Sequence, residues 1–155
     1  MLSVSIGDLN ALLDAHEFTR RHGLRVVAVG DGECELEVPY RPENDRPVLR
    51  GASPLEAAAP GDPGHRHPPG GVVSGHVYMH AADVAFWLAI KTRLGLDDAS
   101  VTSSMTTAFL GSARREPLRC RARVLKLGRR LVYGTADCFA RERPMTHHTL
   151  TYARM

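Results

Sequence analysis

The stretch from Ser74 to Gly95 constrains this chain more than any other part of it. Val77, Tyr78, Met79, Ala81, Ala82, Val84, Ala85, Phe86, Trp87, Leu88 and Ile90 leave it almost no polar side. Ser74 stands where it can cap a helix and Gly95 where it can end one. A helix over about 75–95 is therefore predicted, about 30 Å long at ~1.5 Å rise per residue. A helix apolar all round is buried, so something must wrap it. Its longest apolar run, Ala81 to Ile90, contains Asp83 and is too short to span a membrane.

The wrapping follows in the sequence. Val101–Leu110, Leu118–Leu127, Arg130–Ala140 and Met145–Tyr152 are rich in Val, Thr, Tyr, Phe and Cys and are separated by Gly, Pro and charged residues, the pattern of strands. Before the helix, Leu24–Val29 and Glu33–Val38 flank the hairpin signal Asp31-Gly32. In the second of these, Glu33, Glu35 and Glu37 alternate with Cys34, Leu36 and Val38, which predicts one wet face and one core face. Short connections predict antiparallel pairing. An amphipathic helix is expected over 6–21, capped by Ser5, ended by Gly23, with Leu9, Leu12, Leu13 and Phe18 on its apolar side. Between about Arg41 and Gly70 lie seven of the ten prolines, which excludes a regular helix or a central strand. A short helical turn around Pro54–Ala59 is the one element expected there. The whole, residues 1–155, is expected to be one α+β domain, an antiparallel sheet curled around one long helix.

Composition narrows the function classes. The formal charge is +3, too small to single out nucleic acid, and aromatic residues do not interleave with the arginines. Cys34, Cys120 and Cys138 are odd in number and form no CxxC pair, so they are expected to be small buried hydrophobes in a reducing compartment. The start, MLSVSIGDLN, has neither a positive region nor a long apolar run. A cytoplasmic protein is expected, with neither a membrane nor a nucleic acid as partner.

Asp83 is the most informative residue. It lies mid-helix among apolar side chains, where an unpartnered carboxylate costs several kcal/mol or shifts its pKa. The fold needs no aspartate there, so Asp83 is a functional candidate. The helix start, Gly70-Gly71-Val72-Val73-Ser74-Gly75-His76, lets a ligand approach the free N–H groups of the first turn, which suit a developing oxyanion. His76, His80 and Asp83, at i, i+4 and i+7, share a face. The spacing lacks the glutamate of a zinc-protease helix, so the histidines are expected to line a pocket or an interface, and no metal is expected. Arg119, Arg121 and Arg123 share a strand face, and Lys126, Arg129 and Arg130 surround the following turn, where several phosphates could dock. No GxSxG elbow, P-loop or dinucleotide fingerprint is present.

PGGVVSGHVYMHAADVAFWLAI resembles the active-site loop and central-helix start of PaaI-like (phenylacetate-pathway type) hotdog acyl-CoA thioesterases. In that family a His-Gly-Gly-type turn opens the helix, and an acidic residue follows nine positions after the histidine. Ser74 occupies the histidine position, Gly75 the next and Asp83 the acidic one. VTSSMTTAFLGSARREPLRCRARVLKLGRRLVYGTADCF and HHTLTYA resemble the family's strands, with VLKLGRR as its strand–turn–strand phrase. The resemblance covers roughly 24–40 and 69–153. It departs at Ser74, at His76 (where a second glycine is common) and in the long insertion.

The resemblance implies the hotdog fold and hydrolysis of an acyl-CoA thioester, with coenzyme A as part of the substrate and no other cofactor. It implies that the Gly75 N–H polarises the carbonyl, with Ser74 beside it, and that Asp83 acts as nucleophile or as general base on water. It implies a homodimer or dimer of dimers, with Asp83 and the helix-start loop of one site coming from different subunits. Lys126, Arg129 and Arg130 are the implied phosphate contacts, and His76, His80 and Trp87 line the substrate side. Two other outcomes stay open: a non-catalytic acyl-CoA-binding protein, and an enoyl-CoA hydratase or dehydratase on the same fold.

Overall fold

The computed structural model describes residues 4–46 and 72–155. Helix α1 spans Ile6–Ala15 and opens with a reciprocal cap: the Asp8 N–H donates to Ser5 Oγ (3.1 Å), and the Ser5 N–H donates to Asp8 Oδ2 (2.8 Å). The Ser5 hydroxyl, which donates to Asp8 Oδ2 at 2.6 Å, and then the Ser5 N–H hold the Asp8 carboxyl below its usual range. The single helix expected over 6–21 breaks at His16, whose backbone is extended (φ −101°, ψ 122°). Thr19 underlies the break. Its hydroxyl donates to Leu13 O (2.5 Å) and lies 2.9 Å from His16 O, taking up the Leu13 carbonyl that a continuing helix would have used. A second helix, α2, then runs Glu17–His22 and ends at Gly23, whose φ of 66° suits glycine. The break turns Phe18 outward, 53% exposed, whereas Leu9 and Leu13 stay buried. Phe18 is thus not part of the apolar side expected for it.

Strands β1 (Arg25–Gly30) and β2 (Glu33–Val38) form the expected hairpin, turned at Gly32 with φ 73°. The insertion is not wholly irregular. Pro42–Asn44 make a 3-10 turn, and β3 (Asp45–Arg46) pairs with β4 (Val72–Val73), closing the two ends of the insertion against each other. The turn expected around Pro54–Ala59 and the pair Gly70-Gly71 lie outside the described residues. Helix α3 spans Gly75–Leu94. Strands β5 (Val101–Phe109), β6 (Leu118–Leu127), β7 (Leu131–Ala140) and β8 (Arg143–Ala153) follow, within two residues of expectation.

The main sheet is antiparallel throughout, in the order β1-β2-β6-β7-β8-β5. Helix α3 lies across β2, β6 and β7. This is the hotdog arrangement, a sheet curled on one long helix. Phe86 shows how tightly the two layers meet. Its ring rests on Gly134 of β7, where any side chain would collide with it and with the Arg123 carbonyl. Burying a side chain of this kind stabilises a fold by about 1.5–3 kcal/mol. All three cysteines are buried and free. Burial pushes the Cys34 thiol up to about 12, so it behaves as a hydrophobe.

The helix is not wrapped on every side, contrary to its uniform apolarity. The described residues leave His76 and Met79 exposed and Asp83 and Trp87 only half-buried. The sheet order explains this, because β5 follows α3 in the chain but lies at the sheet edge and is exposed along most of its length. Among the described residues no helix is long and apolar enough to cross a membrane.

Candidate active site

Two backbone bonds fix the start of α3. Val73 N–H donates to Ala113 O (3.0 Å), and Ser74 N–H donates to Asn44 O (2.9 Å). Ser74 sits at the N-cap with extended backbone, but its side chain makes no capping bond; its hydroxyl pairs with His76 Nδ1 at 2.9 Å instead. The expected side-chain cap is therefore absent, and the first-turn N–H groups are not taken up by it. The Phe109 ring of β5 stands 3.1 Å from where a Cβ on Gly75 would lie, so glycine is what lets strand and helix meet here.

Asp83 lies two turns along the same helix, facing the sheet edge. Thr102 Oγ1 donates to its Oδ1 at 2.8 Å. Tyr152 OH donates to the same Oδ1 at 2.7 Å and lies 3.0 Å from the Asp83 carbonyl oxygen. Strand register makes this possible, because Thr102 of β5 and Tyr152 of β8 are direct partners. Burial and the neighbouring carboxylate push the Tyr152 pKa up, so it remains a donor. Asp83 and Trp87 open onto a cavity of about 250 Å³ bounded also by Phe18 and Val101.

His76 pairs with Ser74, and His80, one turn before Asp83, turns toward α2. His80 packs against His22 of α2, ring centroids 4.4 Å apart, and against Phe18 at 6.1 Å. Burial, followed by His22, lowers its pKa to about 4 against the opposing pull of Asp83. His22 is lowered as well, by burial first and His76 second. Among the described residues no group of three or more His, Cys, Asp or Glu side chains is placed to hold a metal.

The basic residues also divide. Arg119, Arg121 and Arg123 pair across the register with Glu37, Glu35 and Glu33. The contacts are Arg119–Glu37 3.0 Å, Arg121–Glu35 3.1 Å and Arg123–Glu33 4.0 Å. This stripe holds two strands together rather than presenting free cations. Lys126, Arg129 and Arg130 remain exposed at the β6–β7 turn. A larger cavity of about 350 Å³ lies over the outer sheet face, but its glutamates and arginines are engaged with one another and its Asp137 with His147. The Asp83 cavity, though smaller, is the one that a hydroxyl-held carboxylate faces.

Thr102 and Tyr152 are the site residues that the sequence reading passes over. The alternation of β8 could have exposed Tyr152, since it places a phenol at a core-facing position of a strand beside the helix bearing Asp83. The weak alternation of β5 offers no such signal for Thr102.

A thioesterase superfamily model matches residues 70–145, which contain both the α3 start and Asp83. This segment is similar to the thioesterase superfamily. Solved structures agree on the fold. A thioesterase from Haemophilus influenzae superposes with TM-score 0.76 at 19% identity, covering 100% of this chain and 95% of that one. The zebrafish thioesterase superfamily member 2 gives 0.74 at 18%, covering 97% and 99%. A mutant of the phenylacetic acid degradation protein PaaI from Thermus thermophilus gives 0.68 at 19%, covering 90% and 100%. At these identities the likeness shows the fold alone. A comparison with curated proteins finds no match.

Proposed function

We propose that this chain is a member of the thioesterase superfamily and an acyl-CoA thioesterase that releases a free acid and coenzyme A, with Asp83 at the reacting carbon. The observation that carries the reading is the carboxylate itself, held at one oxygen by two hydroxyls at the mouth of a cavity part-walled by Phe18 and Trp87. As general base, Asp83 takes a proton from water. The water oxygen bonds to the thioester carbon, the C–S bond breaks, and the proton passes to the departing sulfur. As nucleophile, it bonds to that carbon itself and the C–S bond breaks to expel the coenzyme A thiolate; water then cleaves the anhydride, which frees the acid, restores the Asp83 carboxylate and supplies the proton that the thiolate takes up.

The Gly75 N–H is the proposed donor to the carbonyl oxygen, with Ser74 shaping the turn. Eight residues separate Gly75 from Asp83, about 12 Å along the helix, too far for both to serve one carbonyl from one chain. A homodimer resolves this, with Gly75 of the partner subunit facing Asp83. The exposed edge strand β5, with Val101 and Phe109 half or more exposed, is the surface that such a partner would cover. Lys126, Arg129 and Arg130 are proposed for the coenzyme A phosphates. Tyr152 pairs with Thr102 on one side and Val132 on the other, so the β6–β7 turn lies about 10 Å from the site, two strand spacings away.

The test is thiol release from a panel of aromatic and straight-chain acyl-CoAs, with Asp83→Ala beside the unmodified chain. Release abolished by the substitution supports the reading. Tight binding without release would replace it with a binding protein, and loss of enoyl absorbance without thiol release with a hydratase.

A further inference from the structure

We infer that Tyr152 is a positioning residue: with Thr102 it anchors one oxygen of Asp83 so that the other is the reacting oxygen. This rests on the thioesterase reading and adds which atom reacts and what aims it. Both hydroxyls reach Oδ1, and Oδ2 receives neither. A carboxylate oxygen that accepts two hydrogen bonds has its lone pairs engaged and its charge partly neutralised. Oδ2 keeps the charge density that proton abstraction or attack on the thioester carbon requires.

Tyr152 is well built for this task. It is 3% exposed, and its ring meets Phe86 edge-to-face at 5.3 Å, which fixes where the hydroxyl points. The same hydroxyl lies 3.0 Å from the Asp83 backbone oxygen, tying side chain and helix to β8 at one point. Three groups bear on the carboxylate: Tyr152 from β8, Thr102 from β5, and His80 one turn earlier on α3, which is neutral above about 4. Tyr152→Phe removes one of the two donors by deleting a single oxygen, and it keeps the ring.

The experiment compares the unmodified full-length chain, Asp83→Ala, Tyr152→Phe and Phe86→Leu on the best acyl-CoA of the panel, with kcat and KM followed from pH 5 to 9. For Tyr152→Phe, kcat is expected to fall about tenfold to a hundredfold, as for a lost hydrogen bond to a charged group, while KM stays within about twofold. A fall in kcat with KM held is the signature of a misaimed carboxylate rather than of lost binding. Phe86→Leu, which loosens the ring and keeps the hydroxyl, lowers thermal stability and leaves kcat within about twofold. An unchanged kcat across the pH range in Tyr152→Phe, with Asp83→Ala inactive, overturns the positioning role and leaves the thioesterase reading intact. An equal fall in kcat in Phe86→Leu overturns it too, since packing alone would then explain the effect. Full activity in Asp83→Ala, or none in the unmodified chain, removes the thioesterase reading and this inference together.

Discussion

Glu35 and Asp83 are both carboxylates at the border of solvent, yet the molecule treats them in opposite ways. Glu35 lies on the outer sheet face, gripped by Arg119 at 3.2 Å and Arg121 at 3.1 Å. Asp83 lies at the helix–edge junction, held by two neutral hydroxyls, and among the described residues no arginine or lysine forms an ion pair with it. A carboxylate matched to arginine has its charge cancelled in place and serves strand register. One held at a single oxygen by hydroxyls has no cation paired with it and leaves its other oxygen free of both donors. The contrast separates structure from chemistry more sharply than exposure does.

The largest effect should come from breaking that contrast at Asp83. Asp83→Asn keeps the shape and removes the charge, and thiol release should fall about a hundredfold to ten-thousandfold, as when an acid–base group is lost. Its melting temperature should stay close to that of the unmodified chain. Glu35→Gln, measured in parallel, should leave kcat unchanged. Equal losses from both substitutions would mean that the two carboxylates do not differ in role.

Next comes the anchor on the strand side. Thr102→Val keeps the branched shape and deletes the donor to Oδ1, and kcat should fall about tenfold, the scale of one hydrogen bond to a charged group. Thr102→Ser should restore most of the rate, since it returns the hydroxyl. A Ser variant as slow as Val would assign the effect to packing on β5.

The sequence made much of this legible, and the reasons are specific. The uniform apolarity of α3 predicted a helix packed on a sheet, though one side of it stays open, and the 2-residue alternation of Glu33–Val38 predicted which side of β2 faces the core. Asp83 stood out because a charge in that helix conflicts with its neighbours. What escaped were relations between distant residues. The break at His16 depends on a Thr19 hydroxyl reaching carbonyls three and six residues back. The partners of Asp83 come 19 and 69 residues later, through strand register that no local pattern encodes. The arginine stripe looked like a cation face until the register placed a glutamate opposite each member.

A smaller, pH-dependent effect should separate the histidines from both carboxylates. The folded chain lowers His80 from 6.5 to about 4, so between those values the unfolded chain binds more protons. Stability therefore falls on acidification through that window, and it is unaffected by His80 above pH 6.5. His22 shifts the same way and adds to the loss. Thermal melts at pH 7 and pH 4.5 should show a drop that His80→Gln reduces. A drop of the same size in the variant would assign the acid sensitivity to other groups.

The smallest effect belongs to the outer face, and it tests the other half of the comparison. Arg121 touches Glu35 at 3.1 Å and covers the Phe139 ring at 5.0 Å, but its side chain is 51% exposed. Exposed ion pairs contribute about 0–1 kcal/mol, and an exposed cation over a ring adds about 0.5–1 kcal/mol. Arg121→Ala also leaves Glu35 with a second partner, Arg119. The expected loss in denaturant melts is therefore about 1 kcal/mol, shrinking in high salt, where screening already weakens the pair. The rate of thiol release should not change, because Arg121 and Asp83 lie on opposite sides of the sheet. A fall in kcat without a fall in stability would show that the outer face is coupled to the Asp83 cavity, and the division between structural and chemical carboxylates would then have to be redrawn.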